Sequence, residues 1–318
     1  MIEKRMAGFD IPVLFLIFNR PDTTLEVFNA IKKVKPTRLY VAADGPRLNK
    51  PGEYEICEAT RSVVQLIDWE CELKTLFRES NLGCKEAVSE AISWFFQNEE
   101  MGIILEDDCL PIESFFFYCR ELLIKYKSDE RVMHIGGLHF LSPSQTPDYS
   151  YYFSQYPHIW GWATWRRAWN HYDRQMGELE SFLEVKLNKC FTSEKQRRHL
   201  SEHLNLTKSG RINTWDYQWF YSVLNSDGLA ITSTKNMVIN LGFSNQSTHV
   251  FLKDSYREGY LDVGMPFPMI HPETTTVEFR LDYLEFRNVY SRDVRRLYRL
   301  VRENGIIGCL RYTFKRYR

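Results

Sequence analysis

The chain has 318 residues, 44% hydrophobic and 26% charged, with lysine plus arginine equal to aspartate plus glutamate at 41 each. This is the composition of a folded chain; it excludes a disordered polymer and a membrane bundle, and the balanced charge gives no general field for nucleic acid. The length allows two domains, or one large α/β domain with an appendage.

Residues 13–18 form a continuous apolar run, the pattern of a strand buried on both faces of a parallel sheet. Pro21 ends it, and Thr23-x-x-Glu26 reads as a capping box ahead of a helical face of Leu25, Phe28 and Ile31. Residues 39–42 make a second strand that stops at the Asp44-Gly45-Pro46 turn, and residues 72–77 a third. An amphipathic helix over 84–96 turns Ala87, Ala91, Ile92 and Phe95 to one side. The fourth strand, 102–105, runs straight into Glu106-Asp107-Asp108, and a helix from about 114 to 126 follows. This alternation predicts an α/β fold, a Rossmann-like, mostly parallel sheet flanked by helices.

The second half is less regular. Residues 151–172 hold nine aromatic side chains, and six of the eight tryptophans lie between Trp160 and Trp219. One helix is expected over 178–206, broken by Ser209-Gly210, with another over 216–224 and a short strand over 229–231. Residues 240–247 read as loop, and 265–272, with three prolines, as a linker or wrapping segment. From about 282 a basic helical pattern runs to the end: residues 287–318 carry ten basic side chains against Asp293 and Glu303, about +8.

The seven cysteines are scattered, odd in number and without a CxxC pair, which suits a reducing compartment and offers no zinc site. Residues 11–18 lead into Asn19-Arg20-Pro21-Asp22 with no cleavage site, so they read as a strand and not a signal peptide. A cytoplasmic protein is expected, with peripheral contact at the inner face of the membrane as one use for the basic tail. A solvated helix or an oligomer contact are the other readings of that tail.

Glu106-Asp107-Asp108 is the strongest chemical feature. Three successive carboxylates repel one another, and ligands of open α/β sheets bind at the strand ends where this triplet falls. A hard cation, Mn²⁺ or Mg²⁺, takes such oxygens and shares them with phosphate; a solvated acidic turn is the alternative. Asp44, ending another strand, reads as a partner for a nucleobase or ribose, or as an Asp-Gly turn. Arg20 reads as a phosphate or base partner, or as a surface cation. Arg78-x-x-Asn81-x-Gly83-x-Lys85 opens a helix, so its basic groups and free amides are candidates for a diphosphate. Trp160-Gly161-Trp162 puts a glycine between two large rings, a place for close approach of a flat ligand, and Trp162 reads equally as core. Asp216, in Trp215-Asp216-Tyr217-Gln218-Trp219, is a general base desolvated by tryptophans, or a helix cap. His249 is a candidate metal or phosphate ligand, or a structural histidine.

Taken in order, residues 12–20, Ala43-Asp44-Gly45, Asn81-Leu82-Gly83, residues 104–108, Gly161-Trp162 and Trp215-Asp216 resemble the glycosyltransferases of the GT-A fold. The chain is similar in particular to the Golgi β-1,2-N-acetylglucosaminyltransferase of the N-glycan pathway and to bacterial relatives of surface-polysaccharide synthesis. The resemblance spans residues 11 to about 250. It implies a catalytic domain over 1–255, divided into a nucleotide-sugar half (1–130) and an acceptor half (131–255), with an extension over 256–318. It implies that Arg20 and Asp44 contact uridine and its phosphates, that Glu106 and Asp107 lie near the ribose and sugar, and that Asp108 ligates the metal. Asp216 would be the base for inverting transfer from a UDP-sugar to a saccharide or lipid-linked saccharide. The sequence departs from the family in having Tyr217 after Asp216, where a second acid is expected, and in a long insert over 173–212. Two other classes remain open: a metal-dependent nucleotidyltransferase or phosphoesterase, and a non-catalytic carbohydrate-binding protein. Donor sugar, linkage and oligomeric state are not encoded in these motifs.

Overall fold

The computed structural model describes residues 8–142, 144–243 and 264–289. All five residues of β1 (Val13–Ile17) are buried, and their alternation serves two layers. Val13, Phe15 and Ile17 join a core with Val27, Phe28 and Ile31 of α1 (Pro21–Val34), whereas Leu14 and Leu16 join a second core on the opposite face. Pro21 starts α1 instead of ending only the strand, because proline at the first helical position has the right φ and needs no N–H there. Thr23 therefore lies inside the first turn and makes no capping box, and Leu25 is exposed.

β2 (Arg38–Ala43) follows. The sequence carries no periodic signal for the helix α2 (Glu53–Arg61), because it buries only Glu53, Cys57 and Thr60. β3 (Glu72–Phe77), α3 (Cys84–Asn98), β4 (Met101–Glu106) and α4 (Glu113–Lys125) lie where the pattern put them, with a short β5 (Cys109–Pro111) between the last two. β6 (Val132–Gly136), β7 (Tyr151–Ser154), β8 (Trp162–Trp165) and α5 (Arg166–Trp169) come next. The single helix expected over 178–206 is broken. α6 (Leu179–Ser181) passes through a wider π turn (Phe182–Lys186) into α7 (Leu187–Cys190), and after an extended Phe191 the chain restarts as α8 (Glu194–Lys208). Phe191 is pulled inward with Phe182, Leu187, Leu200 and Leu204, so the insert folds around a small core of its own against α9 (Asp216–Asn225). β9 (Leu229–Ser233), β10 (Val238–Asn240) and α10 (Phe279–Val289) complete the described elements.

Eight strands form one mixed, mostly parallel sheet in the order β3-β2-β1-β4-β8-β6-β9-β7. β1 to β4 are mutually parallel, as are β6 and β9; β8 runs antiparallel to β4 and β6, and β7 antiparallel to β9. α1 and α4 cover one face; α3 and the tryptophan-rich segments cover the other. The chain leaves β1 toward β2 and β3 on one side and reaches β4 on the other, so a topological switch point opens beside the carboxyl ends of β1 and β4. All four strand ends of the first half, with Arg20, Asp44, Arg78 and Glu106, project toward that edge.

Met265 and Met269 are buried, and the Ile270 N–H donates to Ser150 Oγ at 2.9 Å, so the proline-rich stretch wraps the domain. α10 is joined to the same body through Leu281 against Leu141 and Tyr152, and Phe286 in the core of the insert. The domain boundary expected at 255, His249 and residues 290–318 of the basic tail lie outside the described residues. Among the described residues no helix is long and apolar enough to cross a membrane.

Gly45 shows how tightly the switch-point edge is built. A Cβ there would stand 2.3 Å from the Ser80 carbonyl carbon and 2.5 Å from its nitrogen, backbone atoms that cannot swing aside. Gly45→Ala is expected to cost about 2 kcal/mol, read as a lower urea midpoint at unchanged m-value. A variant as stable as the parent would show that the two loops are not locked together.

Candidate active site

The loop after β3 is held to the end of β2 by Asp44. Its Oδ1 accepts the N–H groups of Gly45 at 2.8 Å and Leu82 at 3.0 Å, and its Oδ2 accepts Asn81 Nδ2 at 2.9 Å and the Gly83 N–H at 3.0 Å. Four donors fill the roughly four lone-pair positions of a carboxylate. This corrects two expectations: Asp44 is a brace with no oxygen left for ribose or base, and the amides of Leu82 and Gly83 are spent on it instead of being free for a diphosphate. Asn81 is part of the same brace and also donates to the Gly45 carbonyl at 2.9 Å. Gly83 caps α3 at φ +81°, a left-handed backbone that side chains resist.

A cleft of about 290 Å³ opens above this loop. Its floor is the α3 face Cys84, Ala87, Val88 and Ala91, and its polar wall includes Arg20, Asp44, Arg78, Asn81, Glu106 and Asp107. Lys85 does not line it: the spacing 84, 87, 88, 91 faces inward, and the second position of the helix points elsewhere. Although its surface opens onto the cleft, crowding by protein atoms and then the acids Glu106 and Asp216 push the Cys84 thiol up to about 12, so it is no thiolate nucleophile at neutral pH.

The carboxylate triplet has an internal counter-ion. Arg20, in the cap position of α1, places Nη1 2.6 Å from Asp108 Oδ2 and 3.5 Å from Asp107 Oδ1. Asp107 Oδ2 also accepts the Phe18 N–H at 3.1 Å, which ties β4 to the end of β1. Burial, then the neighbouring Asp108, raise the Asp107 carboxyl to about 7. Burial and the charges of Asp108, Asp107 and Asp216 hold Glu106 well above the ordinary carboxylate range. Asp108 faces away from the cleft floor toward Gly242, where a Cβ would meet its Oδ2 at 2.4 Å. Among the described residues no three of His, Cys, Asp and Glu gather into a metal cage. What the chain offers a divalent ion is Asp107 beside Asp108, a two-carboxylate oxygen set of the kind Mg²⁺ uses when phosphate oxygens complete its shell.

Asp216 is the first residue of α9, and Trp215, not Asp216, takes the cap position. Its Oδ1 accepts the Thr214 hydroxyl and the Tyr217 N–H, the latter at 2.8 Å. Burial raises its carboxyl above the usual range, opposed by those hydrogen bonds and by His203. It lines a second pocket, of about 170 Å³, while its charge is felt by Glu106 in the first.

Trp162 belongs to the core. It is fully buried, stacked on His134 at 5.0 Å and on Trp215 at 5.7 Å, so no ligand can reach its face. Gly161 does not admit a ligand either: it sits at φ +64° with Val238 Cγ2 2.7 Å from where its Cβ would be. Trp160 is the residue of this motif that reaches a pocket.

Several site residues gave no sequence signal. Glu53, buried at the cleft rim, binds Arg47, accepts Asn19 Nδ2 at 2.9 Å, and is held down to about 2 chiefly by Arg47. His134 accepts Trp219 Nε1–H at 3.1 Å on its Nδ1, and burial drops it to about 3. Asp282 and Glu285, on what reads as the basic tail, are both buried. Only the i, i+3 spacing of these two acids on an apolar helix face could have hinted at them.

No family model matches the sequence, and no curated protein matches it. Among solved structures, the chain is similar to HddC from Yersinia pseudotuberculosis, with 9% identity and a TM-score of 0.32 over 55% of this chain and 86% of that one. A likeness at that level carries no functional argument.

Burial raises the Asp282 carboxyl to about 8, and Asp107 stands at about 7. Each holds its proton to higher pH in the folded state than in the unfolded chain. The stability it contributes is therefore complete below about pH 4 and lost as pH rises through 7 to 8. Between pH 6.5 and 8.5 the melting temperature is expected to fall by an amount equivalent to about 2 kcal/mol. Asp282→Asn should flatten that slope whatever it does to the absolute value, and an equally steep slope in the variant would rule out Asp282 as its source.

Proposed function

We propose that the protein is a divalent-metal-dependent glycosyltransferase of the GT-A class, moving a sugar from a nucleotide diphosphate sugar, a UDP-sugar by resemblance, to a hydroxyl of a saccharide or lipid-linked saccharide. The observation that carries the reading is the carboxylate triplet at the end of β4, of which Glu106 and Asp107 wall a cleft at the topological switch point, with a further desolvated carboxylate, Asp216, close enough to raise Glu106.

In this reading the nucleotide lies along the β1 and β4 ends, over the α3 face. Arg20, Arg47 and Arg78 line that cleft and would supply cations for a diphosphate, Arg47 being already paired with Glu53. Asp44 and Asn81 act by holding the loop that shapes it. Asp107 and Asp108 would hold the metal ion, which when bound neutralises charge on the departing diphosphate. Asp216 takes the proton of the acceptor hydroxyl as that oxygen bonds to the anomeric carbon. The bond from that carbon to the diphosphate oxygen breaks, its electron pair leaves with the nucleotide, and configuration inverts. Asp216 then loses its proton to solvent.

The test is calorimetric binding of UDP, GDP, CMP and dTDP with and without Mn²⁺, on the parent and on Asp108→Ala. Binding of one nucleotide that depends on the metal and on Asp108 is expected. No nucleotide binding under any condition would remove the transferase reading and favour a carbohydrate-binding protein. Nucleotide turnover without any acceptor product would instead indicate a nucleotidyltransferase or phosphoesterase.

A further inference from the structure

The second pocket has a composition that general-base chemistry alone does not require. Its walls come from the β6–β7 and β7–β8 connections, α8 of the insert, the start of α9 and the end of α10. At about 170 Å³ it is smaller than the ~300–1,000 Å³ of sites for drug-sized ligands, a size that suits a small ligand such as a single sugar ring. Five aromatic residues line it, Phe140, Tyr156, Trp160, Tyr217 and Phe220, beside aliphatic Leu138, Ile159, Leu200 and Val289. Polar groups are few: Asp216, His158, Gln196 and His199. Apolar faces with a small set of fixed polar groups match a pyranose ring, which has C–H faces and a rim of hydroxyls.

Two of those polar groups are set in place from behind. Gln196 Nε2 donates to the Tyr156 hydroxyl at 3.0 Å. His158 Nε2 pairs with Glu285 Oε1, a carboxylate of α10 that is fully buried and also accepts the Tyr152 hydroxyl at 3.1 Å. One turn earlier Asp282 accepts Ser154 Oγ at 2.6 Å and the Gln155 N–H at 2.8 Å. Burying two acidic side chains costs stability unless each finds hydrogen-bond partners, and here both find them on one short stretch, residues 152–158. The imidazole of His158 is further confined by the edge of Phe140 at 4.9 Å and by the parallel ring of Tyr156 at 6.2 Å. With Nε2 taken by Glu285 and the ring fixed, Nδ1 is the His158 atom left to meet a ligand, and a carboxylate on one imidazole nitrogen fixes what the other can do.

We infer that this pocket receives the terminal monosaccharide unit of the acceptor, with one hydroxyl at Asp216 and a second hydrogen-bonded by His158 Nδ1, Glu285 being the positioning residue for that contact. The attack on the donor rests on the transferase reading above; the binding of a sugar unit does not. α10 therefore bears on which acceptor is chosen, although it lies far along the chain from the carboxylate triplet.

The probes are methyl glycosides of glucose, galactose and N-acetylglucosamine and their monodeoxy analogues. They are titrated against the full chain and followed by the indole N–H resonance of Trp160, assigned through Trp160→Phe. At least one glycoside is expected to shift that resonance. One deoxy analogue should bind the parent about tenfold more weakly, the loss of a single hydrogen bond to a fixed polar group. Glu285→Gln, which preserves shape, should bind the parent glycoside about as weakly as that deoxy analogue and lose discrimination at that hydroxyl only; a merely structural role would weaken all the sugars alike. His158→Phe should abolish the discrimination too, and if it does not fold, Glu285→Gln still decides the matter. No shift with any glycoside, or unchanged discrimination in Glu285→Gln, would overturn the inference. UDP binding, measured on the same samples, should be unaffected by either change, and its absence from the parent would count against the transferase reading alone.

Discussion

Asp216→Asn is expected to lower sugar transfer by about 10²–10⁴-fold while leaving UDP affinity within about twofold. The expectation follows from how each oxygen is used. Oδ1 is occupied by the Thr214 hydroxyl and the Tyr217 N–H, so the base must act through Oδ2. Asparagine keeps the Oδ1 acceptor, and with it the start of α9, but presents an NH₂ donor where the acceptor hydroxyl needs a proton taken. Trp215 and Trp219 are both buried and anchor the start of α9 in the core, which should hold the substituted side chain in the same place. Since burial raises the Asp216 carboxyl, the acid limb of the rate profile should lie above the range of an ordinary aspartate: activity rises with pH as the carboxylate forms. A variant losing nucleotide binding and transfer together would mean that Asp216 holds the fold of the cleft and is not the base. A parent whose rate is flat from pH 4 upward would say the same.

What the sequence made legible was the half of the fold in which local pattern and tertiary role coincide. A continuous apolar run such as 103–105 must be a buried strand, and three acids placed directly after it must sit at a strand end, so the cleft wall could be read without coordinates. The rest depended on partners distant in sequence. Asp44 looks like a ligand contact until four donors, three of them 37 to 39 residues away, are seen to occupy it. Trp162 looks like a platform until β4 and β6 close on both edges of β8, a strand running against the parallel order that βαβ repetition predicts. Glu285 looks like a solvated charge on a basic helix until Tyr152 and His158, more than 120 residues earlier, meet it. Periodicity reports which face is buried. It does not report what a buried polar group is bonded to, and that bonding decides whether Asp44, Trp162 and Glu285 face a ligand or brace the fold.

The second large effect concerns Arg20 and Asp108, which compete for one chemistry. Arg20 Nη1 stands 2.6 Å from Asp108 Oδ2, on an oxygen that a divalent ion would also need. At that separation and an effective dielectric of about 20, a unit charge pair gains on the order of several kcal/mol before screening, and Arg20 is half exposed, so much of that is lost to solvent. The guanidinium is thus a tenable partner for the free protein and a displaceable one. Asp108→Ala should weaken Mn²⁺-dependent UDP binding by about 100-fold, because on the proposed reading a carboxylate that would hold the ion is gone and Arg20 cannot replace a divalent charge. Arg20→Gln should act in opposite directions on two titrations. Mn²⁺ alone should bind more tightly, since its competitor has been removed, while UDP should bind more weakly, since a phosphate partner has been removed too. A lysine at position 20 would keep the charge without the fork geometry and should restore only the first of these to the parental value. If Mn²⁺ alone binds equally to the parent and to Arg20→Gln, the ion does not use the oxygen that Arg20 holds, and the metal assignment to Asp108 falls even if UDP binding stays metal-dependent.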